Sequence, residues 1–469
     1  MEKPVEILDR EREWGRLRRA FEGKRPELIF VLGRRRVGKS FVLSRFAREC
    51  GGVYYQATRR TEAEQLASLS RVLGEHFDDG ALQQGAVLPS WEDLFRYLTK
   101  RAGSEPFLLV LDEFPYLAGV SEPLTSIVQR FWDHEWADSR IRLVLAGSYI
   151  TAMKQLEEQD QPLYGRRTAK LSFAPFGYED AAAFVPGWSA RDRFLLYGTV
   201  GHLPGHLALV DPDRTLEENV SELMLDPGGR LTDEAEHFLD AFVPDGEVHY
   251  SIIEAIATGQ RTWSGITNRI GKSGGSLQRP LQWLEEMGIV ERVVPVTERG
   301  RGRSKRAVYR IADPHLNFWH SMISPLIRRG SVGLAEPEHL WRRFVEPRLD
   351  EHMGGIFERI CAEFIARSDA PFRPVELGSW WDGAARHEVD IVALSADHQL
   401  LVGECKWGAV SRKDLETLRE RSRMVAAELP EVGEIHLALF TGRGEADREV
   451  LEAAREGKVL LFGPEELLS

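Results

Sequence analysis

Apolar residues in the first half of the chain fall into short runs separated by stretches with the apolar spacing of amphipathic helices. The runs occupy residues 28–32, 53–57, 107–111, 141–146 and 169–173. Strands that alternate with helices form a mostly parallel sheet, because parallel strands need a crossover connection that covers the sheet faces. The pattern predicts an α/β domain over residues 1–240.

The pattern changes after residue 240. Three short helices are predicted at 251–257, 264–270 and 277–287, followed by a β-like run at 289–296 and the basic stretch ERGRGRSKRAVYRI. Helices followed by a hairpin are typical of a winged helix-turn-helix. We predict this domain over residues 241–325, with GKSGG as the turn between the second and third helices and Ser276 as the N-cap of the third.

The last region, residues 326–469, opens with helices and continues with a β-hairpin at 388–394 and 399–406. Helix and strand then alternate again, at 413–428, 434–440, 446–456 and 459–462. We predict a third domain there, again of the α/β class.

Composition excludes several classes of protein. The chain has 469 residues, 43% of them hydrophobic, a net charge of −12 and three cysteines. These values argue against disordered, collagenous and disulfide-rich proteins. The N-terminus lacks a signal-peptide pattern, and no run of about 20 apolar residues could span a bilayer. We expect a cytoplasmic protein without a membrane partner.

The segment GRRRVGKS, Gly33–Ser40, fits the phosphate-binding pattern G-x-x-x-x-G-K-[ST] and lies between an apolar run and an amphipathic stretch. Backbone N–H groups of such a loop surround the phosphates, the lysine reaches the terminal phosphate oxygens and the hydroxyl binds Mg²⁺. We predict an ATP and Mg²⁺ site with these binding residues: Gly33, Arg34, Arg35, Arg36, Val37, Gly38, Lys39, Ser40 and Phe41.

A second acidic element follows the buried run FLLVL, where Asp112 and Glu113 stand at the carboxyl end of the predicted strand. Ligands bind at that edge of an open α/β sheet. We predict that Asp112 holds Mg²⁺ together with Ser40, and that Glu113 is the catalytic residue that orients the attacking water.

Three further polar residues are candidates for the nucleotide site. Ser148 follows the predicted strand 141–146 and would sense the γ-phosphate, unless it only caps the strand. Arg166 and Arg167, in PLYGRRT, would stabilise the transferring phosphoryl group, in cis or from a neighbouring subunit of a homo-oligomer. The alternative for both arginines is a solvated surface pair.

The predicted winged helix carries a local excess of basic residues in an acidic chain. Residues at the start of its third helix could contact base edges, although Pro280 is unusual inside a helix. Glycines interspersed with basic side chains in the wing are typical of phosphate contact. The predicted DNA contacts are Gln278, Arg279, Arg299, Arg301, Arg303, Lys305 and Arg306. The alternative is a winged helix that binds protein.

Carboxylates on the predicted C-terminal hairpin indicate a second metal site. Asp390 lies on the first strand, and Glu404 and Lys406 share one face of the second, with Cys405 directed the other way. Two carboxylates with the backbone carbonyl at Cys405 would bind Mg²⁺ or Mn²⁺, and Lys406 would stabilise charge at a phosphodiester. Glu358, on the preceding helical stretch, is the third acid, and Glu388 could replace it.

Gly33–Ser40, LVLDEFPYL, LAGSYI, PLYGRRT and YGTVGHLPGHL, in this order, resemble archaeal-type ATPases of the STAND class. The resemblance implies a RecA-like P-loop ATPase core with a helical lid, a winged helix and a C-terminal domain like PD-(D/E)xK nucleases, with Glu358, Asp390, Glu404 and Lys406 as its catalytic set. One departure is Gly201-His202, where the family has two glycines.

These features together predict an ATPase that binds DNA and cleaves it with divalent metal. The first alternative is an ATP-switched DNA-binding or signalling protein whose nuclease-like domain is inactive. A chaperone-like ATPase that acts on protein is the second.

Overall fold

The computed structural model describes residues 2–148, 150–240, 246–272, 274–299, 304–384 and 386–469. The chain divides into two compact units. The first comprises Met1–Phe176 and Leu203–Gly205, and the second comprises Gly177–His202 and His206–Ser469. The domain limits near residues 240 and 325 remain predictions.

All five predicted strands of the first unit are present, and they form one parallel sheet in the order β2-β3-β4-β1-β5. Strand β4 lies between β1, which leads into the phosphate loop, and β3, which leads into the acidic pair. The strands are β1 Glu27–Leu32, β2 Val53–Gln56, β3 Phe107–Asp112, β4 Ile141–Gly147 and β5 Ala169–Ser172.

Alternation along β1 explains why this sheet has two cores. Leu28, Phe30 and Leu32 pack on one face, whereas Ile29 and Val31 pack on the other, and each is at most 3% exposed. A parallel strand needs apolar residues on both faces because helices cover both. The covering helices are α1 Glu11–Glu22, α2 Lys39–Glu49, α3 Glu62–His76, α4 Gly80–Gln83, α5 Trp91–Ala102, α6 Phe114–Val120, α7 Leu124–Arg130 and α8 Ile150–Gln155.

The second unit begins with short helices and continues with three helices and a two-stranded antiparallel sheet over residues 247–311. This order of elements was predicted for residues 241–325, and its identity as a winged helix remains a prediction. The elements from residue 178 to the end of that sheet are, in chain order, α9 Tyr178–Ala182, α10 Ala190–Thr199, α11 Pro204–Leu207, α12 Leu216–Val220, α13 Glu234–Asp240, α14 Glu247–Ala257, α15 Trp263–Ile270, α16 Gly274–Glu286, β6 Val290–Val293 and β7 Val308–Ile311.

The prediction that Ser276 caps α16 is wrong, because α16 already begins at Gly274. The turn before it is shorter than GKSGG: α15 ends at Ile270 and Gly271 has the left-handed φ of 70° that ends many helices. Pro280 lies inside α16, beyond the first turn, where it removes one backbone donor.

The C-terminal part of the second unit is a five-stranded mixed sheet in the order β12-β11-β10-β9-β8. The predicted hairpin is present, with β9 antiparallel to β10, and the two strands after it run parallel to β10 and β11. The strands are β8 Glu376–Trp381, β9 Glu388–Leu394, β10 Leu400–Lys406, β11 Ile435–Thr441 and β12 Leu460–Phe462.

Strand β8 was not predicted from the sequence pattern. It completes one edge of this sheet, and Trp380 and Trp381 at its end are 1% and 6% exposed. The remaining helices are α17 Pro314–Phe318, α18 Ser324–Arg328, α19 Pro337–Leu340, α20 Glu346–Arg367, α21 Arg412–Glu428, α22 Arg448–Arg455 and α23 Pro464–Leu467. In the described ranges, no helix is both long and apolar enough to cross a membrane.

Candidate functional sites

The phosphate loop links the carboxyl end of β1 to the N-terminus of α2. A Cβ at Gly33 would lie 2.7 Å from the carbonyl oxygen of Phe173, so a larger residue there would force the backbone apart. Gly38 precedes α2 with a φ of 90°, a conformation that favours glycine. Both glycines of the motif are therefore required by the backbone path, and the loop leaves its amides at a helix N-terminus, which favours anions.

Lys39 is held at the centre of this loop. Its Nζ donates to the carbonyl oxygens of Gly33 and Arg34 at 2.7 and 2.9 Å and to Ser148 Oγ at 3.0 Å, and the residue is 4% exposed. Burial lowers the pKa of Lys39 to about 8, against the opposing effect of the Glu113 and Asp112 carboxylates. An ammonium placed here is available to phosphate oxygens at neutral pH.

Asp112 ends β3 and accepts hydrogen bonds from two sides. Ser40 Oγ donates to Asp112 Oδ2 at 2.5 Å and the Tyr54 hydroxyl donates to the same oxygen at 2.7 Å. Burial, and then the Asp112 carboxylate, raises the pKa of Tyr54, so this hydroxyl remains a donor. The predicted pair of Mg²⁺ ligands, Ser40 and Asp112, is thus brought together.

Glu113 follows in the left-handed conformation, with φ 53° and ψ 42°. Its carboxylate accepts hydrogen bonds from the backbone N–H of Ser148 at 3.2 Å and from Ser148 Oγ. Because Lys39 Nζ also donates to Ser148 Oγ, the three side chains form one connected network at the carboxyl edge of the sheet. The predicted water-orienting acid and the predicted γ-phosphate sensor are therefore neighbours.

The other loop residues differ in exposure. Arg34 and Val37 are buried, Arg35 is exposed, and Arg36 has a positive φ of 68°. Phe41, at the start of α2, is 42% exposed, and the Arg45 guanidinium lies 4.4 Å from its ring centroid.

Two sets of hydrogen bonds that hold the phosphate loop in place were not predicted from the sequence. The Arg10 guanidinium, 3% exposed, donates to the carbonyl oxygens of Val37 and Ala174 at 3.1 and 2.8 Å and therefore ties the loop to the end of β5. The backbone N–H of Gly205 donates to the carbonyl oxygen of Arg36 at 3.1 Å. Both contacts join residues far apart in sequence, so periodicity gave no signal for them.

Arg166 and Arg167 have acidic partners. Arg166 forms a bidentate pair with Asp133, with nitrogen–oxygen distances of 2.8–3.0 Å, and Arg167 pairs with Glu157. Contact of either guanidinium with a phosphoryl group requires the release of its present acidic partner.

The C-terminal hairpin brings Asp390, on β9, close to the end of β10. The backbone N–H of Cys405 donates to Asp390 Oδ2 at 2.7 Å, and the Cys405 side chain is buried and hydrogen-bonded to the Cys361 thiol. Burial raises the pKa of Asp390 well above its ordinary value, and the Glu358 and Glu404 carboxylates raise it further. Burial also raises the pKa of Cys405, so its thiol stays protonated.

Glu404 is 6% exposed and has two cationic partners. Lys406 Nζ lies 2.7 Å from its Oε1, which confirms that the two side chains share a face, and Arg421 Nη1 lies 3.0 Å from its Oε2. Burial acts to lower the pKa of Lys406, but the hydrogen bond to Glu404 and the charges of Glu404, Asp390 and Asp414 together outweigh it, and the pKa is raised overall. Arg421, on α21, was not predicted.

Glu358, on α20, faces a cation from a different part of the unit. Arg310, on β7, has Nη1 3.3 Å from Glu358 Oε2 and Nη2 3.6 Å from Glu388 Oε1. Burial raises the pKa of Glu358 while Arg310 opposes that effect. The two acids considered as alternatives in sequence therefore share one arginine.

The predicted DNA contacts fall into three groups. Gln278, Arg279 and Lys305 are exposed, and so is Arg299, although it also has an intramolecular neighbour. Arg301 and Arg303 lie outside the described residues. Arg299 and Arg306 have intramolecular neighbours: Arg306 Nη1 donates to the carbonyl oxygen of Trp381 at 2.7 Å, and Arg299 packs on Gly378, so a Cβ there would lie 3.0 Å from its Nη2.

No group of three or more His, Cys, Asp or Glu side chains in the described ranges is arranged to hold a metal ion. The metal site of Asp390, Glu404 and the Cys405 carbonyl uses only two side chains, so it remains a prediction.

Two family models match separate regions of this chain, and one relative aligns over most of it. Residues 7–210 match a family described as an ATPase domain predominantly from Archaea, and residues 319–418 match archaeal and bacterial proteins of unknown function. Uncharacterized protein MJECL04 of Methanocaldococcus jannaschii is 25% identical over 424 residues, which cover 88% of this chain and 90% of that protein. Uncharacterized protein MJ0424 of the same organism is 41% identical over 90 residues, 18% of this chain and 81% of that protein.

A solved structure gives the same fold. The Walker-type ATPase PABY2304 of Pyrococcus abyssi aligns with a TM-score of 0.52 and 22% identity, over 68% of this chain and 97% of that one. The parallel sheet of the first unit agrees with this likeness of fold. Residues 7–210 of the chain are therefore similar to the predominantly archaeal ATPase domains, and residues 319–418 are similar to the family of unknown function.

Proposed function

We propose that this protein is an ATP-controlled, metal-dependent DNA nuclease, in which residues 241–325 act as a DNA-binding winged helix and residues 326–469 as a PD-(D/E)xK-like nuclease domain. The observation that carries the proposal is the placement of Asp390 and Glu404 on neighbouring strands, where Asp390 accepts a hydrogen bond from the Cys405 N–H and Lys406 lies 2.7 Å from Glu404, in a chain that matches an ATPase family over residues 7–210.

At the nucleotide site, Ser40 and Asp112 would hold the Mg²⁺ that accompanies ATP. Lys39 would exchange its bonds to the loop carbonyls and Ser148 for phosphate oxygens. Glu113, already hydrogen-bonded at the sheet edge, would orient the water that attacks the γ-phosphorus, and Ser148 would report the loss of that phosphate. The STAND-class resemblance favours ATP as a conformational switch. In a homo-oligomer, Arg166 or Arg167 of a neighbouring subunit would add positive charge at this site.

At the C-terminal site, the charge pattern suits a divalent cation. Burial, and then the Glu358 and Glu404 carboxylates, raise the pKa of Asp390, and a bound cation would offset both effects. Such a cation would supply an activated water and neutralise charge on the phosphodiester. Lys406 would orient the attacking oxygen, and Arg421 would keep Glu404 in position.

DNA would approach over the exposed side chains of α16 and its neighbouring loop. Gln278, Arg279 and Lys305 are accessible for contact, whereas Arg306 would first have to leave Trp381 and Glu298. Because phosphate contacts release counterions, the affinity should fall steeply with salt.

The proposal is tested by cleavage of plasmid and single-stranded DNA with Mg²⁺ or Mn²⁺. The Asp390→Asn variant should lose cleavage. The matched control is Asp397→Asn, which alters an exposed aspartate in the loop that joins the same two strands and should cut like the wild type. Equal cleavage by the Asp390→Asn variant would rule out this site.

A second function has its own support. Glu404 is neutralised by both Lys406 and Arg421, which is also what a stable, metal-free fold requires. In that case the chain is an ATP-switched DNA-binding or signalling protein. Metal stoichiometry separates the two: the nuclease should bind Mn²⁺ with ATP absent, and the switch protein should bind it only with nucleotide.

A further inference from the structure

A polar cavity of about 440 Å³ lies in the second unit between α20 and the residues around α14 and β7. Its wall from α20 repeats at helical spacing, through Arg348, His352, Gly355 and Arg359. Glu358 lines it as well and is also a member of the carboxylate cluster around Asp390. The cavity and the candidate nuclease site therefore share a wall.

The cavity wall carries an excess of positive charge. Four arginines contribute to it: Arg261, Arg310, Arg348 and Arg359. Three carboxylates oppose them: Glu291, Glu351 and Glu358. Burial lowers the pKa of His352, so this histidine adds no charge at neutral pH.

Two of the acids are already engaged. Arg359 donates to the carbonyl oxygen of Ala312 and lies 3.5 Å from Glu291, so that pair builds the wall. Glu358 shares Arg310 with Glu388, at 3.3 and 3.6 Å, which is long for a charged hydrogen bond. The Arg310 guanidinium is therefore only loosely held.

Donors remain for a ligand. Arg310 Nε is buried and has no hydrogen-bond partner in the described part of the chain. Arg348 reaches only the carbonyl oxygen of Ser321, at 3.4 Å. Arg261 is exposed at the rim, and its charge acts on Glu358. Arg261, Arg310 and Arg348 thus line one space, and their bonds within the protein are few or long.

We propose that this cavity binds a phosphate monoester carried by a nucleotide, in particular the terminal phosphate of a nucleic acid strand that enters the candidate nuclease site. Guanidinium groups match the several oxygens of such a dianion, and the volume falls in the range of small-ligand sites. Binding would draw Arg310 from Glu358 and leave that acid to the Asp390 cluster. The choice of a nucleic acid strand as the ligand rests on the proposed nuclease function. The recognition of a phosphate monoester by the arginines does not.

The test measures fluorescence anisotropy of short labelled single-stranded DNA that carries a 5′-phosphate, a 3′-phosphate or hydroxyls only. All proteins are full-length and carry Lys39→Ala, so that the phosphate loop does not contribute, and EDTA prevents cleavage. We expect one of the two phosphorylated probes to bind about tenfold more tightly than the hydroxyl probe. This is the gain in affinity expected when one phosphate forms charged hydrogen bonds with the protein.

Variants assign that preference to the cavity. Arg310→Gln and Arg261→Gln should each remove it, whereas Arg448→Gln, which alters an 87% exposed arginine on α22, should retain it. Arg261→Gln keeps the test decisive if Arg310→Gln does not fold, which a thermal melt would reveal. Deoxyadenosine monophosphate is the competitor: displacement at lower concentration than by the phosphorylated strand identifies a free nucleotide as the occupant.

Equal binding of all three probes overturns the inference, as does a preference that survives both cavity variants. Asp390→Asn separates this outcome from failure of the nuclease: it should abolish cleavage and leave the phosphate preference intact. Phosphate preference without cleavage in the wild type would leave the cavity site standing and remove the nuclease.

Discussion

Lys39 Nζ lies 3.0 Å from Ser148 Oγ, and the same hydroxyl bonds to Glu113. The residue that should hold the γ-phosphate and the residue that should activate water are therefore linked through one serine at the end of β4. If Lys39 binds a γ-phosphate, its hydrogen bond to Ser148 would break. The position of Glu113, which is also hydrogen-bonded to Ser148, would then depend on the nucleotide.

The first prediction concerns proton uptake. In the protein without nucleotide the pKa of Lys39 is about 8, and phosphate oxygens close to its ammonium group would raise this pKa. ATP binding above pH 8 should therefore be accompanied by the uptake of a proton. The affinity should then fall as the pH rises through 8, by up to about tenfold per pH unit. Calorimetry in buffers of different ionisation enthalpy measures this uptake.

Lys39→Arg provides the control for that experiment, since a guanidinium does not lose its proton in this range. Proton uptake that is equal in the wild type and Lys39→Arg would contradict the assignment to Lys39.

The second prediction separates hydrolysis from binding. Glu113→Gln keeps the side-chain shape but removes the base, so ATP turnover should fall by about 10²–10⁴-fold while ATP affinity changes little. Glu122→Gln, at an exposed position shortly after α6, is the matched control and should leave turnover unchanged. A normal turnover rate in Glu113→Gln would remove Glu113 from the mechanism.

The third prediction concerns Tyr54, whose hydroxyl donates to Asp112 at 2.7 Å. Tyr54→Phe should lower the free energy of unfolding by about 1 kcal/mol and raise the Mg²⁺ concentration needed for half-maximal ATPase activity. Tyr116→Phe alters a tyrosine that is 37% exposed and should affect neither quantity. An unchanged Mg²⁺ requirement in Tyr54→Phe would mean that this hydroxyl has only a structural role.

The fourth prediction concerns stability at the carboxylate cluster. The native pKa of Asp390 lies above its unfolded value, so the native state binds more protons and loses stability as the pH rises from the unfolded pKa through the native one. Without metal at pH 7, Asp390→Asn should therefore be more stable than the wild type, by about 1 kcal/mol or more, since a tenfold change in proton affinity is worth about 1.4 kcal/mol. The gain should shrink near pH 4, where Asp390 is protonated.

Chemical denaturation in EDTA checks this expectation, with Asp397→Asn as the neutral control. Mn²⁺ should then stabilise the wild type and not Asp390→Asn. A destabilised Asp390→Asn variant would indicate that Asp390 serves the fold through its bond to Cys405 rather than a metal.

Local chemistry made part of this structure predictable. The loop at Gly33 and Lys39 needs particular residue types at fixed spacing, and β1 needs apolar residues on both faces, so both are legible in the sequence. The pairing of Glu404 with Lys406 follows in the same way from strand alternation.

Contacts between distant segments could not be predicted. Tyr54 reaches Asp112 only because β2 pairs with β3, and Arg310 reaches Glu358 only because β7 lies near α20. The start of α16 was misplaced because two glycines were taken as turn residues, although the helix includes both. Tertiary packing overrides such local preferences.

The measurement that tests the proposed nuclease most directly is DNA cleavage by the full chain with Mg²⁺ or Mn²⁺, with ATP, with ADP and without nucleotide. Wild type, Lys39→Ala and Asp390→Asn run side by side, with Asp397→Asn as control. We predict metal-dependent cleavage that is absent in Asp390→Asn and whose nucleotide dependence is absent in Lys39→Ala. Intact ATPase activity without cleavage under any of these conditions would contradict the nuclease proposal and leave the ATP-switched binding protein.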